Sequence, residues 1–161
     1  MPAAQVRPVR PEEYDEVAEL TARVYVDGGF STPDYVPALR AVAARAASTQ
    51  VLVAVLSDRV VGAVAVATRG GEYAERAGPG EAVMRMLAVA PDARGAGAGE
   101  TLVRACIAAA RAHGCNALRL STQPDMTAAH RLYGRLGFVR APGHDWSPAP
   151  GVDLRGFVLA L

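Results

Sequence analysis

Residues 94–105 read RGAGAGETLVRA: three glycines alternate with alanines behind Arg94, and the chain then turns into an amphipathic helix. Glycine permits positive φ and carries no Cβ, while the first turn of a helix has amides with no intrahelical partner. A strand, a glycine-rich loop and a helix N-terminus therefore make a ready anion site, since bare amides and the helix dipole act together. The same pattern also suits a connector that binds nothing. Two phosphate motifs can be tested against it. A P-loop ends in Gly-Lys-Ser/Thr, but all 17 basic residues here are arginine. A dinucleotide fingerprint needs a third glycine three positions after the second. That position is Glu100 counting from Gly95 and Gly97, or Leu102 counting from Gly97 and Gly99. Both motifs fail.

The rest of the chain supplies the context. Its 161 residues, 51% hydrophobic and 20% charged, fit one globular domain spanning 1–161. A formal net charge of +1 offers no electrostatic case for nucleic acid or an anionic membrane surface. The absence of lysine excludes Schiff-base chemistry. Cys106 and Cys115 match no metal or disulfide spacing, so no metal site is expected. The N-terminal MPAAQVRPVRPEE has no signal-peptide core and no apolar run reaches membrane-spanning length, so a cytoplasmic protein is expected.

Periodicity predicts a strand over 6–10, a helix opening at Pro11 with an acidic first turn, and a second helix over 33–47. QVLVAVL and VVGAVAVAT form a hairpin around SDR, and EAVMRMLAV is a further strand ending before Pro91. The helix of 99–113 stops at His113-Gly114. ALRLST is a strand, 127–136 a short helix, and 138–139 and 154–161 the last strands. The order βααβββαβαββ is mixed α/β rather than regular βαβ alternation.

Arg94, Gly97 and Gly99 fit Arg-x-x-Gly-x-Gly, directly after the strand ending Leu87-Ala88-Val89. Further on, Ala129, Leu132, Tyr133, Gly137 and Phe138 fit Ala-x-x-Leu-Tyr-x-x-x-Gly-Phe. In order and over essentially the whole chain, these resemble the GNAT superfamily of N-acetyltransferases. The resemblance implies a central, mostly antiparallel twisted sheet with helices on both faces. It implies acetyl-CoA as acyl donor, with no metal. The pyrophosphate would lie on the backbone of Arg94, Gly95, Ala96, Gly97, Ala98 and Gly99, with Glu100 and Thr101 in the first helical turn. Glu100 departs from what phosphates favour and fits if its carboxylate points away. Pantetheine would run along Leu87, Ala88 and Val89, where an amide near Leu87 or Ala88 would polarise the thioester carbonyl.

Tyr133 matches the tyrosine that protonates the leaving thiolate in the family. His130 shares its side of the helix and is read as a solvated histidine. The position at which many relatives carry a catalytic glutamate is Val83. Glu81, on the same strand face as Val83 and Arg85, is then the nearest carboxylate able to act as base, through water. Glu72 and Glu75 are weaker candidates. A site with no certain carboxylate slightly favours an α-amine or another weakly basic amine. Neutralising a lysine side chain at pH 7 costs about 4.6 kcal/mol, against about 1 kcal/mol for a peptide α-amine. The acceptor is expected to be a primary amine of a small molecule or peptide, attacking the thioester directly. Residues 69–80 and 145–153 would line it, with Trp146 stacking on the acceptor or, preferably, anchoring its loop. A homodimer stays open. The alternative is a non-catalytic acyl-CoA-binding or sensory module, which would keep the glycine loop without the acid/base pair.

Overall fold

A computed structural model of the chain describes residues 3–74 and 76–161. The chain starts with β1 (Gln5–Pro8), and Pro11 opens a 3₁₀ turn that runs into helix α1 (Tyr14–Asp27). Arg7 and Glu13 lock this entry with two hydrogen bonds of 2.8 and 2.7 Å. Glu13 also accepts from the amide of Arg10 at 2.9 Å.

The helix expected over 33–47 is broken in two. Helix α2 (Val36–Arg40) and helix α3 (Val42–Ser48) meet at Ala41, whose ψ of 58° leaves the helical range. A side chain of the following helix caps the break. Arg45 is buried to 2% exposure, and its guanidinium donates to the carbonyls of Ala38 (2.7 Å) and Leu39 (3.0 Å). These are last-turn carbonyls of α2, which a helix end leaves without intrahelical donors.

Strands β2 (Gln50–Leu56) and β3 (Arg59–Ala67) form the expected hairpin. Its tip is Ser57-Asp58, both at positive φ (50° and 62°), a turn whose twist matches that of the strands. Strand β4 (Glu81–Val89), helix α4 (Ala98–Ala112), strand β5 (Ala117–Thr122) and helix α5 (Thr127–Arg135) come next. The chain closes with β6 (Val139–Arg140), β7 (Trp146–Ala149) and β8 (Val152–Ala160). β7 is an addition to the expected order: the proline-punctuated segment hides a short strand that folds back on β8.

The sheet order is β1-β2-β3-β4-β5-β8-β6, with β7 beside β8. Every pairing is antiparallel except β4 with β5, which is parallel. β3 is buried from Val60 to Ala67, as a strand covered on both faces must be. α4 packs on one face, where Leu102 abuts Gly62 closely enough that a Cβ there would sit 2.9 Å from Leu102 Cδ1. α2 and α3 each pack on α1, and α1 and α3 also rest on the sheet.

The parallel pair shapes the centre of the molecule. β4 and β5 stay in register only from Glu81–Ala117 to Met84–Leu120. Beyond that they part, because β4 continues along β3 while β5 continues along β8. The sheet therefore opens as a V at its centre. Among the described residues no helix is long and apolar enough to cross a membrane.

Candidate active site

Where β4 leaves β5, its backbone also leaves regular geometry. Ala63 pairs with Ala88 and Ala65 with Arg85, so Val64 faces two residues, Met86 and Leu87. This is a β-bulge, and Met86 takes a φ of +56°, a conformation that costs a non-glycine residue energy. The carbonyl of Leu87, displaced by the bulge, accepts a 3.2 Å hydrogen bond from the hydroxyl of Tyr25 on α1. The sequence places chemistry on Leu87, Ala88 and Val89 but gives no hint of the bulge. A largely apolar run carries no mark of one extra residue.

The mouth of the V is a cleft holding about 370 Å³ of open space. Tyr25, Arg85, Met86 and Leu87 line one side, and Ser121, Thr122, Met126, Ala129 and Tyr133 the other. Tyr133 reaches it from α5. Its ring is buried against Phe138 (5.7 Å between centroids) and Phe157 (6.1 Å). Among the described residues its hydroxyl makes no hydrogen bond. Burial pushes the phenol well above its ordinary range, so it stays protonated at neutral pH and keeps a proton to give. Tyr25 is raised for the same reason.

Just past the C-terminal end of β4, a 3₁₀ turn (Pro91–Ala93) leads into the glycine loop. Gly95 and Gly97 have φ of +87° and +79°, so both positions need glycine for conformational reasons. Gly97 caps α4 in the left-handed conformation. The amides of Gly95, Gly97, Ala98, Gly99 and Glu100 have no hydrogen-bond partner among the described residues. Thr101 begins the helical pattern, its amide and hydroxyl both donating to the carbonyl of Gly97 (3.0 and 2.8 Å). The amides of Arg94 and Ala96 turn inward, to Pro91 (3.4 Å) and Ala93 (3.3 Å). Gly99 sits between α5 and β4: a Cβ there would meet Leu132 at 3.5 Å and Val89 at 3.6 Å, ordinary packing distances. The carboxylate of Glu100 is drawn aside to Arg104 (3.2 Å) and Arg135 (3.7 Å), leaving its amide open. Five open amides at the N-terminus of a 15-residue helix form a concentrated anion site.

Glu81 lies elsewhere. Its Oε1 accepts from Arg119 Nε at 2.8 Å and from the amide of Gly78 at 2.7 Å, and the guanidinium holds its carboxyl below the usual range. It borders a second, polar pocket made with Thr68, Arg69 and the Gly78–Gly80 turn. No aspartate or glutamate is among the described residues lining the cleft that holds Tyr133. Val83 is buried with Ala67, Ala74 and Tyr73. Glu72 is exposed on the loop, and Glu75 lies outside the described residues.

His130 is not the solvated group expected. It is half-buried, its ring 5.3 Å from that of Phe157 and its Nε2 3.3 Å from Thr122 Oγ1, and burial lowers its pKa. Trp146 anchors its loop: Nε1 donates to Ser121 at 3.1 Å, and Arg76 lies 6.0 Å over the ring. That contact ties the 69–80 loop to the 145–153 loop beside the cleft. Cys106 is a buried core thiol, pushed up to about 12 by burial, and Cys115 contacts Thr68. No cluster of metal-ligating side chains occurs among the described residues.

Comparison with known proteins agrees with this geometry. The model of the acetyltransferase (GNAT) family matches residues 14–138. A comparison with curated proteins gave no match. Among solved structures, a GNAT-family acetyltransferase of Staphylococcus aureus Mu50 superposes with a TM-score of 0.80 at 17% identity, covering 99% of each chain. YncA of Salmonella typhimurium, solved with its cofactor acetyl-CoA, gives 0.74 at 20% identity over 99% of this chain and 95% of its own. The ribosomal-protein-S18-alanine N-acetyltransferase of Escherichia coli gives 0.72 at 16% identity over 98% of this chain and 93% of its own. With a glycine loop feeding a helix, a bulged strand parting from its parallel neighbour, and a family match over most of its length, the chain belongs to the GNAT family of acetyltransferases.

Proposed function

We propose that the whole chain acts as one catalytic domain, a cytoplasmic, acetyl-CoA-dependent N-acetyltransferase. It moves an acetyl group to a primary amine of a small molecule or peptide by direct attack on the thioester. The observation that carries this reading is the shared cleft: the bulged backbone of β4 and Tyr133, whose hydroxyl has no hydrogen-bond partner among the described residues, face one opening.

In this reading the amides of Gly95, Gly97, Ala98, Gly99 and Glu100 hold the pyrophosphate. Pantetheine lies along Leu87, Ala88 and Val89 as an added strand would, in the gap that β5 vacates. An amide of the bulge donates to the thioester carbonyl as its oxygen gains charge. The amine nitrogen bonds to the acyl carbon, the carbon–sulfur bond breaks, and Tyr133 gives its proton to the departing sulfur. With a phenol raised by burial, that transfer belongs late, when charge on sulfur is well developed. Glu81 would reach the amine's proton only through water, and Arg119 weakens it as a base. The site therefore favours an amine that is already neutral in solution.

The lack of a carboxylate among the described cleft residues favours one other reading, a non-catalytic acyl-CoA-binding module. Measuring free thiol released from acetyl-CoA against a panel of amines separates the two. The enzyme reading expects thiol release with at least one amine and a fall of about 10²-fold or more in kcat for Tyr133→Phe, with acetyl-CoA affinity retained. Tight acetyl-CoA binding with no release for any amine sinks it.

A further inference from the structure

A nitrogen that attacks a thioester gains positive charge and must then lose a proton, even when the amine enters neutral. The described cleft residues include no aspartate, glutamate or histidine to take it. Tyr25 and Tyr133 hold their protons through burial, and arginine has no site to accept one. The wall formed by β5 and α5 does carry two further hydroxyls. Ser121 is engaged, accepting from Trp146 Nε1 at 3.1 Å. Thr122 is buried to 4% exposure, and its Oγ1 lies 3.4 Å from Met126 Sδ and 3.3 Å from His130 Nε2. A hydroxyl has one proton, and an imidazole nitrogen is a better acceptor than a thioether. Thr122 therefore donates to Nε2, and the hydrogen of the neutral ring sits on the other nitrogen. A backbone hydrogen bond with Gln123 favours the protonated ring, as a carbonyl accepting from that nitrogen does. No described residue then donates to Thr122 Oγ1, and its lone pairs stay open.

Resting on the acetyltransferase reading above, we propose that Thr122 and His130 are the proton exit of the reaction, with His130 the base and Thr122 its relay. As the amine nitrogen bonds to the acyl carbon, its proton passes to Thr122 Oγ1, while the Thr122 hydroxyl proton passes to His130 Nε2. Thr122 ends as it began, and His130 ends with one added proton and one positive charge. Its ring is half-buried rather than sealed, so the proton then leaves to water. Hydrogen bonds of this kind are commonly long before substrate binds and tighten as charge develops. The surroundings of the ring set its strength. Burial is foremost in lowering its pKa, and Arg155 on β8 and Arg140 on β6 add to that, while Gln123 and Asp125 oppose it. A base weakened in this way does not strip an ammonium ion, but it can accept from the far more acidic nitrogen of the adduct. The preference for an amine that enters neutral is therefore kept.

The test reads thiol release from acetyl-CoA with glycinamide, phenylalaninamide, the common amino acids and spermidine, and continues with the amine of highest kcat/KM. Thr122→Val keeps the shape and removes the hydroxyl, and His130→Gln keeps a polar group and removes the base. Each should lower kcat about 10²-fold, the usual worth of a general base, and the double variant no further, since the two act as one unit. Thr122→Ser should keep most of the wild-type rate. Acetyl-CoA affinity, measured by calorimetry on each variant, reports that the fold and donor site persist. The pH profile supplies a readout that packing alone would not move. Wild-type kcat/KM should fall about tenfold per pH unit below the pKa of the amine, and about a hundredfold per unit below that of His130, which lies under 6.5. His130→Gln should keep the shallower fall down to about pH 5. A wild-type profile without the steep acid limb overturns the proposal, whatever the variants do. So does a Thr122→Val or His130→Gln variant that binds acetyl-CoA and keeps the wild-type kcat, or a double variant in which the two losses add. Each of these leaves the acetyltransferase reading intact. No release by the wild type with any amine fails that reading instead, and this inference with it.

Discussion

Removing the Tyr25 hydroxyl tests whether the bulge is braced for catalysis. In Tyr25→Phe the ring stays and only the donor to the Leu87 carbonyl is lost. Leaving a buried acceptor unpaired costs about 1–3 kcal/mol. Two features put this case at the low end: the bond is long at 3.2 Å, and the cleft gives water a route to the freed oxygen. A loss of about 1 kcal/mol corresponds to a fall in Tm of about 2–4 °C for a chain of this size. If the bulge amides stabilise the developing oxyanion, much of that energy reappears in the barrier. At about 1.4 kcal/mol per tenfold, kcat should drop about fivefold. Steady-state thiol release against both substrates gives kcat and KM, and thermal melts give the stability change. Burial keeps Tyr25 protonated well past its ordinary range, so the deficit should be the same from pH 6 to 9. A variant that melts lower but turns over at the wild-type rate would refute the brace. A deficit that changes with pH would instead make Tyr25 a proton carrier.

The glycine loop and the N-terminal ion pair each carry an outcome of their own. Gly97→Val forces a β-branched residue to φ +79° beside the open amides. The strain costs about 1–2 kcal/mol, but acetyl-CoA affinity should fall far more, since the added atoms occupy the approach to the amides; unchanged affinity by calorimetry would remove the loop from the donor site. Glu13 gives a pH signature. Arg7, with help from the Arg10 amide, lowers its pKa from 4.5 to about 2. A depressed carboxyl stabilises the fold fully above its unfolded pKa, and that contribution fades as pH falls from 4.5 towards 2. Glu13→Gln should therefore be less stable than wild type at neutral pH, with the gap closing in acid; a gap that stays constant across that range contradicts the ion-pair account.

Much of the architecture arises from local pattern. Alternating and continuous apolar runs mark β2, β3, β4 and β5, and caps and periodicity mark α1, α4 and α5, because these signals act over a few residues. The glycine loop is legible for the same reason: positive φ at Gly95 and Gly97 and open amides at a helix start are properties of the segment itself. The direction of the Glu100 carboxylate enters the sequence reading only as a condition, and Arg104 and Arg135 meet it. Where expectation and structure differ, side-chain contacts intervene that the local pattern does not show. At the Ala41 break, Arg45 of the following helix caps the last-turn carbonyls of Ala38 and Leu39. Phe157, far along the chain, meets the His130 ring in a tilted contact that leaves it half-buried.

The sequence by itself therefore determined the order of elements, the anion-holding loop and the tyrosine, all of which rest on short-range chemistry. Only the tertiary structure decided how they meet. The parting of β4 from β5 after Met84 and Leu120, the bulge at Met86 and its brace from Tyr25 each join segments distant in sequence. So does the pairing of Glu81 with Arg119, which draws the expected base away from the cleft. Such contacts depend on which strand lies beside which, and sheet pairing is a long-range outcome that no single segment encodes.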